Sequence, residues 1–378
     1  MVDAPEAPAA SRAVEIDPGV ELLPDVPVSR SEEDLLGRLP LARRLCELAC
    51  AHPVAAPRVV GLAGGAGAGK SSVLNLVAGL LADRPEVAFV AIDAGDFPGT
   101  SELLDALIKN LMQFFADQDV IDTRDAVRDA LSRYGSVISG AARIAGVKVD
   151  LGGLSRSPEE VRAELAEMTQ EVGKRIVLLL DHVDRLHPRE LASTLVALRH
   201  VAAIPYVTVV LAYDRRAVAA APDDMIDPRA FERVVQVELA LPLADRVLVA
   251  RVLAGGVARI AARTGRDLDA ALPLFDPDAP DGAPLLDLCE TPRDAKRAIN
   301  ALAAALPLVP AGAAVDDAAL DIALRLLVPE LDSARLDARR RVQGTARAVL
   351  LAELDAATAG HRLVGPARAA LRALFALT

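Results

Sequence analysis

The chain has 378 residues, of which 52% are hydrophobic, so it can bury the cores of two or three domains and is not a wholly disordered protein. Aromatic residues make up only 3%, Trp is absent and the formal net charge is −11, which argues against an aromatic stacking platform or a basic surface for nucleic acid or anionic lipid. The sequence has neither a signal-peptide pattern nor 18 uninterrupted apolar residues, and we expect a soluble, cytoplasmic protein without a transmembrane segment.

The N-terminal region combines a polar arm with a helical pattern. Residues 1–28 are rich in Pro, Ala and acidic side chains, which predicts a disordered acidic arm. From Glu32 to Ala51 leucines recur at helical spacing, which predicts one helix or two short ones, interrupted by Pro40. The only cysteines are Cys46, Cys50 and Cys289, and we expect them to serve packing because three cysteines form no closed disulfide framework.

Strand and helix patterns then alternate as far as residue 242. Short apolar runs predict strands at 58–64, 86–93, 174–181 and 206–214, and a fifth at 234–242. Apolar faces at helical spacing predict helices from Lys70 to Leu81 and from Glu102 to Phe115. This alternation predicts an α/β fold, a mainly parallel sheet with helices on both faces.

The remaining chain divides around this pattern. A stretch from about 118 to 157 is predicted to be an insertion in a core that spans residues 29–242. After Pro242 the strand patterns stop, and helical patterns predict one helical region at 243–305 and a second, C-terminal one at 306–378.

The motif that carries chemistry lies directly after the first predicted strand. Residues 64–72 read GGAGAGKSS and fit G-x-x-x-x-G-K-[ST], followed by a helix. In such a loop, backbone N–H groups surround phosphate oxygens, and the helix N-terminus adds partial positive charge. We therefore predict that Lys70 reaches the β- and γ-phosphates and that Ser71 ligates Mg²⁺. The residues predicted to bind nucleotide here are Gly64, Gly65, Ala66, Gly67, Ala68, Gly69, Lys70, Ser71 and Ser72.

A nucleotide site of this kind needs an acid at the end of a neighbouring strand. The segment RIVLLLDHVDRL supplies Asp181 after a fully apolar run, and we predict that Asp181 holds Mg²⁺. His182 occupies the place where many ATPases carry the acid that orients the attacking water. Asp184 could do that work from the adjoining turn, with an ordinary loop position as the alternative.

Two later segments offer further polar groups. The strand YVTVVLAYD ends at Asp214, where a sheet of this type can place a polar sensor beside the γ-phosphate. In TPRDAKRAIN the residues Arg293, Lys296, Arg297 and Asn300 share one helical face after a helix start at Thr291 and Pro292. A solvated basic face is the alternative reading of that pattern.

With these blocks in place, the chain resembles the KAP family of P-loop NTPases, within the STAND branch. SRSEEDLLGRLPLARRL and VVGLAGGAGAGKSSVLNLV resemble the lead-in and the Walker A region, LLLDHVDRL resembles Walker B, and LAYDRRAV, FERVVQVELALP and TPRDAKRAIN resemble later blocks, over residues 29–305. The resemblance implies an ASCE-type core, with one strand between the Walker A and B strands and a helical lid at 243–305. It also matches Arg293 to the family's Pro-Arg pair, and Arg297 could bind nucleotide or pin the lid.

The sequence also departs from this family at three points. Ala66 stands where Trp is frequent, and His182 replaces the second acid of Walker B. Many members carry transmembrane helices between Walker A and B, whereas residues 134–154 are too short and too charged to span a bilayer.

The resemblance implies an ATP- and Mg²⁺-dependent molecular switch in signalling or phage defence, with slow hydrolysis. The alternative is a nucleotide-gated scaffold that binds ATP without turnover. A protein partner on the C-terminal helices is expected, and a homo-oligomer stays open. The absence of an [NT]KxD motif disfavours a GTPase, and a small-substrate kinase would need an acceptor pocket.

Overall fold

The computed structural model describes residues 22–51, 58–116, 173–219, 228–280, 282–310 and 314–329, with single residues between 163 and 170 and between 363 and 370. The predicted insertion and the 134–154 segment lie outside these residues. The described residues within 26–248 and 291–293 form one compact unit, here called the sheet unit. Those within 1–25, 249–290 and 294–378 form the other, the helical unit. No helix in the described part of the chain has the length and apolar character needed to cross a membrane.

The sheet unit is built on five parallel strands in the order β2-β3-β4-β1-β5. The strands are β1 Arg58–Ala63, β2 Val87–Asp93, β3 Arg175–Asp181, β4 Val207–Tyr213 and β5 Val237–Ala240. The predicted parallel sheet is confirmed, and β4 lies between β1 and β3, the strands that precede the predicted Walker A and Walker B residues, as the resemblance implied. The predicted fifth strand is too long at its start, because residues up to Val234 form a helix that buries Phe231 and Val234 in the core.

Helices cover both faces of this sheet. Those of the sheet unit are α1 Leu39–Cys50, α2 Lys70–Ala82, α3 Thr100–Ala116, α4 Pro188–Ala202, α5 Arg215–Ala219 and α6 Pro228–Val234. The predicted helices at Lys70 and Glu102 are thus confirmed within a few residues. Pro40 does not interrupt a helix as predicted: it lies in the first turn of α1, where a missing N–H costs nothing.

Alternate residues of each strand enter one of two cores. On one face Val59, Leu178 and Val209 pack with leucines of α3 and α4. On the other face Val60, Val177 and Val210 pack with residues of α1 and α2. Because β3 and β4 are buried along their whole length, the sheet forms a stiff frame whose strand ends hold loop residues in fixed positions.

The helical unit contains most of α7 Arg246–Thr264 and α9 Pro292–Ala305, together with α8 Pro284–Leu288 and α10 Val315–Leu327. In α7, Gly256 lies so close to Ile299 of α9 that a β-carbon would overlap with it. The predicted boundaries at residues 242 and 305 stay predictions.

The end of the predicted disordered arm has defined contacts. In the helical unit the amide of Leu23 donates to Oδ1 of Asn300 at 2.7 Å, and Nδ2 of Asn300 donates to the carbonyl of Leu23 at 2.9 Å. In the sheet unit the amide of Val28 donates to Oγ of Ser72 at 3.1 Å. Side chains distant in sequence thus satisfy backbone groups of Leu23 and Val28, and the disordered arm stays a prediction.

Candidate nucleotide-binding site

Two glycines in the loop between β1 and α2 have backbone conformations that other residues rarely adopt. Gly67 and Gly69 have φ of +74° and +104°, a region that other residues enter only with strain. The amide of Ala68 donates to the carbonyl of Gly65 at 3.2 Å, and α2 begins at Lys70. The result is a tight loop whose amides lead into a helix N-terminus, which is the form that binds phosphate oxygens.

Lys70 lies over this loop. Its side chain is buried, and Nζ donates to the carbonyls of Gly64 at 2.9 Å and Gly65 at 3.1 Å. A buried ammonium group needs such partners, and phosphate oxygens at the same place would satisfy it better because they carry charge. Lys70 is thus held at the loop, and its role as a phosphate ligand stays a prediction.

The segment 291–293 belongs to the sheet unit and contacts the loop. A β-carbon at Gly67 would lie 2.9 Å from Oγ1 of Thr291 and 3.0 Å from Cβ of Arg293. The predicted Arg293 is thus brought to the phosphate-binding loop. Arg297 lies exposed on α9 in the helical unit, and its role stays a prediction.

Two other predicted residues contact the loop and its helix. Asp214 follows β4, and its carboxylate accepts hydrogen bonds from the amides of Ala66 at 3.2 Å and Arg216 at 2.9 Å. This geometry allows Asp214 to hold the loop backbone. The hydroxyl of Ser72 accepts the bond from Val28 described above, and its predicted contact with nucleotide stays a prediction.

Asp181 ends β3 with its carboxylate largely buried. Its partner in the parallel register is Asp93 at the end of β2, so the two acids lie side by side at one edge of the sheet. Oδ1 of Asp181 accepts a hydrogen bond from the amide of His182 at 2.8 Å. Sequence reasoning missed Asp93, although an acid that ends the apolar run EVAFVAID was a usable signal.

His182 is held between these acids and the P-loop helix. Its backbone is left-handed, with φ of 54° and ψ of 32°. Nδ1 lies 2.8 Å from Oδ2 of Asp93 and 3.6 Å from Oδ2 of Asp181, while Nε2 lies 3.5 Å from Oγ of Ser71. The residue that replaces the usual second acid therefore connects β2, β3 and α2.

Asp184 lies in the short 3₁₀-helix Val183–Arg185 that follows His182. Its Oδ1 is buried and has no hydrogen-bond partner among the described residues. An unsatisfied carboxylate oxygen is costly unless something else fills the place, and a water molecule is one such donor. Asp184 thus has a free acceptor near the end of β3.

The oxygen donors at this edge fit Mg²⁺. Ser71 and Asp181 offer a hydroxyl and a carboxylate, and Mg²⁺ in nucleotide sites takes one or two such groups and fills its other positions with phosphates and water. Among the described residues no cluster of three His, Cys, Asp or Glu side chains could hold a metal alone. A hydroxyl and a carboxylate are nevertheless the kind of protein ligands that Mg²⁺ takes together with nucleotide phosphates.

Comparisons with solved structures give weak likenesses. The structure resembles Cdc6p from Pyrobaculum aerophilum with a TM-score of 0.40 and 16% identity, over 93% of this chain and 82% of that one. It resembles the ORC2 protein of Aeropyrum pernix with a TM-score of 0.37 and 15% identity, over 90% and 86%. Likenesses of this size say nothing about function.

Sequence comparisons are more specific. The chain is 23% identical over 257 residues to the phage T7 exclusion protein of Escherichia coli strain K12, covering 58% of this chain and 34% of that protein. It thus spans about a third of that relative's length. The profile of the KAP family P-loop domain matches residues 38–309, well over half of the chain. With this match and the P-loop on a five-stranded parallel sheet, the protein belongs to the KAP family of P-loop NTPases, which are nucleotide-binding proteins.

Proposed function

We propose that the protein binds ATP with Mg²⁺ at the P-loop and hydrolyses it slowly, acting as a molecular switch. The observation that carries this proposal is the buried Lys70, whose Nζ lies over the loop carbonyls while Ser71 lies near the end of β3. In this proposal amides of the P-loop bind phosphate, Lys70 contacts the β- and γ-phosphates, and Ser71 and Asp181 hold Mg²⁺. Asp214 keeps the loop in place through the amide of Ala66.

The proposed catalysis depends on two acids with separate tasks. Asp181 ends a fully buried strand and is fixed near Ser71 through His182, which suits a metal ligand. Asp184 offers an unsatisfied oxygen that can accept a hydrogen bond from the attacking water. Hydrolysis is slow because His182, not a carboxylate, follows Asp181.

Single-turnover ATP hydrolysis separates these tasks. We expect Asp181→Ala to lose both Mg²⁺-dependent binding and turnover. Asp184→Asn should keep ATP binding and lower turnover at least tenfold, since general-base assistance contributes about 10²- to 10⁴-fold. Asp83→Asn, an exposed acid at the end of α2, is the control and should behave as wild type. Undiminished turnover in Asp184→Asn would remove that residue from catalysis.

A second candidate function is a scaffold that binds ATP without turnover. His182 in the place of the second acid is the observation that favours it. Wild-type protein that binds ATP with Mg²⁺ but converts none in the single-turnover assay would support this scaffold and exclude the ATPase.

For both candidate functions we propose a protein partner on the C-terminal helices, and self-association is a further option. The similarity to the phage T7 exclusion protein supports phage defence as one setting, with signalling as the other.

Arg293 is proposed to report the γ-phosphate. Its stem packs at Gly67, so the guanidinium is within reach of nucleotide phosphates, and an Arg fork can share charge over several oxygens. Arg293→Ala should weaken ATP binding about tenfold and leave ADP binding nearly unchanged. Arg297→Ala, four residues further along α9, tests whether Arg297 also contacts nucleotide or only fixes the lid. If both variants distinguish ATP from ADP as wild type does, neither Arg has this role.

A further inference from the structure

Asp93 is built into the β2–β3 edge in a way that leaves one oxygen for His182. Its Oδ1 accepts a hydrogen bond from the amide of Gly95 at 2.9 Å, which fixes the carboxylate against the short 3₁₀-helix Ala94–Asp96. Its Oδ2 then faces Nδ1 of His182 at 2.8 Å. Both oxygens are engaged, so the carboxylate has one orientation.

The same contact sets the orientation of the imidazole ring. A carboxylate can only accept, so Nδ1 of His182 carries the hydrogen that is donated to Asp93. In the neutral ring Nε2 is then an acceptor, and this atom lies toward Oγ of Ser71 at 3.5 Å. The left-handed backbone of His182 is one that His, Asn and Asp adopt more readily than other residues.

We propose that Asp93, His182 and Ser71 form a relay that orients the Ser71 hydroxyl for Mg²⁺. When the hydroxyl hydrogen points to Nε2 of His182, the oxygen lone pairs are free for the metal. His182 and Asp93 are thus positioning residues, which act on the metal through Ser71. This inference rests on the proposed function, because it needs Mg²⁺ to accompany the nucleotide at Ser71.

The chemistry of the relay has a general precedent in metal sites. Groups that orient a metal ligand from outside commonly change metal affinity by about 10- to 100-fold when they are removed. Asp93 is 35% exposed, so a charge acting directly on the metal would be partly screened by water. A double substitution distinguishes an effect of Asp93 that passes through His182 from a direct effect of the Asp93 charge on the metal.

The test measures the Mg²⁺ concentration that gives half of the thermal stabilisation of the full chain by saturating ADP, at one fixed pH. Asp93→Ala should raise this concentration about tenfold, while ADP affinity in EDTA stays unchanged. Asp93→Asn keeps an acceptor for Nδ1 and should give a smaller shift. His182→Asn tolerates the left-handed backbone but is too short to reach Ser71, so it should match Asp93→Ala. Asp96→Ala, an exposed acid of the same 3₁₀-helix, is the control and should leave the Mg²⁺ requirement unchanged.

The double variant Asp93→Ala with His182→Asn shows whether Asp93 acts on the metal through His182. If the double variant needs the same Mg²⁺ concentration as either single variant, the relay is supported, because both residues then act in series. Fold-changes that multiply would overturn it, and so would an unchanged Mg²⁺ requirement in Asp93→Ala. Wild-type protein that ADP stabilises in EDTA and Mg²⁺ stabilises no further would overturn the relay and the Mg²⁺ site, while nucleotide binding at the P-loop would stand. Wild-type protein that neither ATP nor ADP stabilises under any condition would overturn the proposed function as well.

Discussion

The P-loop and the β2–β3 edge meet at His182, yet they reach their geometry in different ways. The P-loop is local: consecutive residues from Gly64 to Ser71 form the turn, the helix start and the cation. The β2–β3 edge is non-local, since Asp93 and His182 are 89 residues apart and meet only because two parallel strands pair in one register. A local motif should be broken by single backbone changes, whereas the edge should depend on contacts between distant segments.

The largest expected effect falls on the local region. Lys70→Ala removes the buried cation at the loop, and we expect the affinity for ATP to fall about 10- to 100-fold, since hydrogen bonds to charged groups contribute about 1.5–3 kcal/mol. Thermal stabilisation by Mg-ATP is the measurement. Lys109→Ala is the matched control, because Lys109 is exposed on α3. Equal stabilisation of wild type and Lys70→Ala would contradict the assignment of the P-loop.

Glycine substitutions in the P-loop should have the next largest effect, on the free energy of unfolding. Ala at Gly67 or Gly69 should lower the free energy of unfolding by roughly 1–2 kcal/mol, because both positions are left-handed. Gly67→Ala should cost more than Gly69→Ala, since a β-carbon meets Thr291 and Arg293 at Gly67 and nothing within 4 Å at Gly69. Urea unfolding measures both. Gly79→Ala, in open space within α2, should instead stabilise by roughly 0.5–1 kcal/mol. A smaller loss for Gly67→Ala would mean that the contact with segment 291–293 does not form.

A second contact between distant segments joins α4 to the start of α3. Glu190 of α4 accepts hydrogen bonds from the hydroxyl and the amide of Thr100, 90 residues away, at 2.6 and 2.7 Å. These bonds lower the pKa of Glu190 in the folded state. The stabilisation is therefore present above the unfolded pKa and is lost as pH falls through the folded pKa. Glu190→Gln should cost about 1 kcal/mol at pH 7 and much less in acid. A loss that stays constant with pH would show that the charge is not involved.

The smallest effect concerns the cysteines. In α1 the hydrogen bond from Cys46, with support from Arg84 and Arg175, lowers the pKa of Cys50 to about 7, whereas burial raises the pKa of Cys289 to about 12. Because the thiolate is the reactive form, alkylation of Cys50 should accelerate as pH rises through about 7 and Cys289 should stay inert at pH 8. Peptide mapping after timed alkylation checks this order. Faster labelling of Cys289 would contradict it.

These two regions also show what the sequence could and could not predict. Glycine spacing and the strand–loop–helix pattern were enough to predict the P-loop, because the residues of the motif are consecutive. The parallel sheet followed from continuous apolar runs. The pairing of Asp93 with His182 could not be predicted, because no local pattern fixes which residues of two distant strands face each other. The hydrogen bonds of Leu23 and Val28 could not be predicted for the same reason, since their partners Asn300 and Ser72 are distant in sequence.

The most direct test of the Mg²⁺–nucleotide site is an equilibrium titration of ATP into wild type and Asp181→Ala, each with Mg²⁺ and with EDTA. The P-loop and the end of β3 form one site in this account, so Mg²⁺ should tighten ATP binding to wild type by at least tenfold. The same addition should change the affinity of Asp181→Ala by less than about twofold, with affinities in EDTA alike for both proteins. An equal gain from Mg²⁺ in the two proteins would contradict the account.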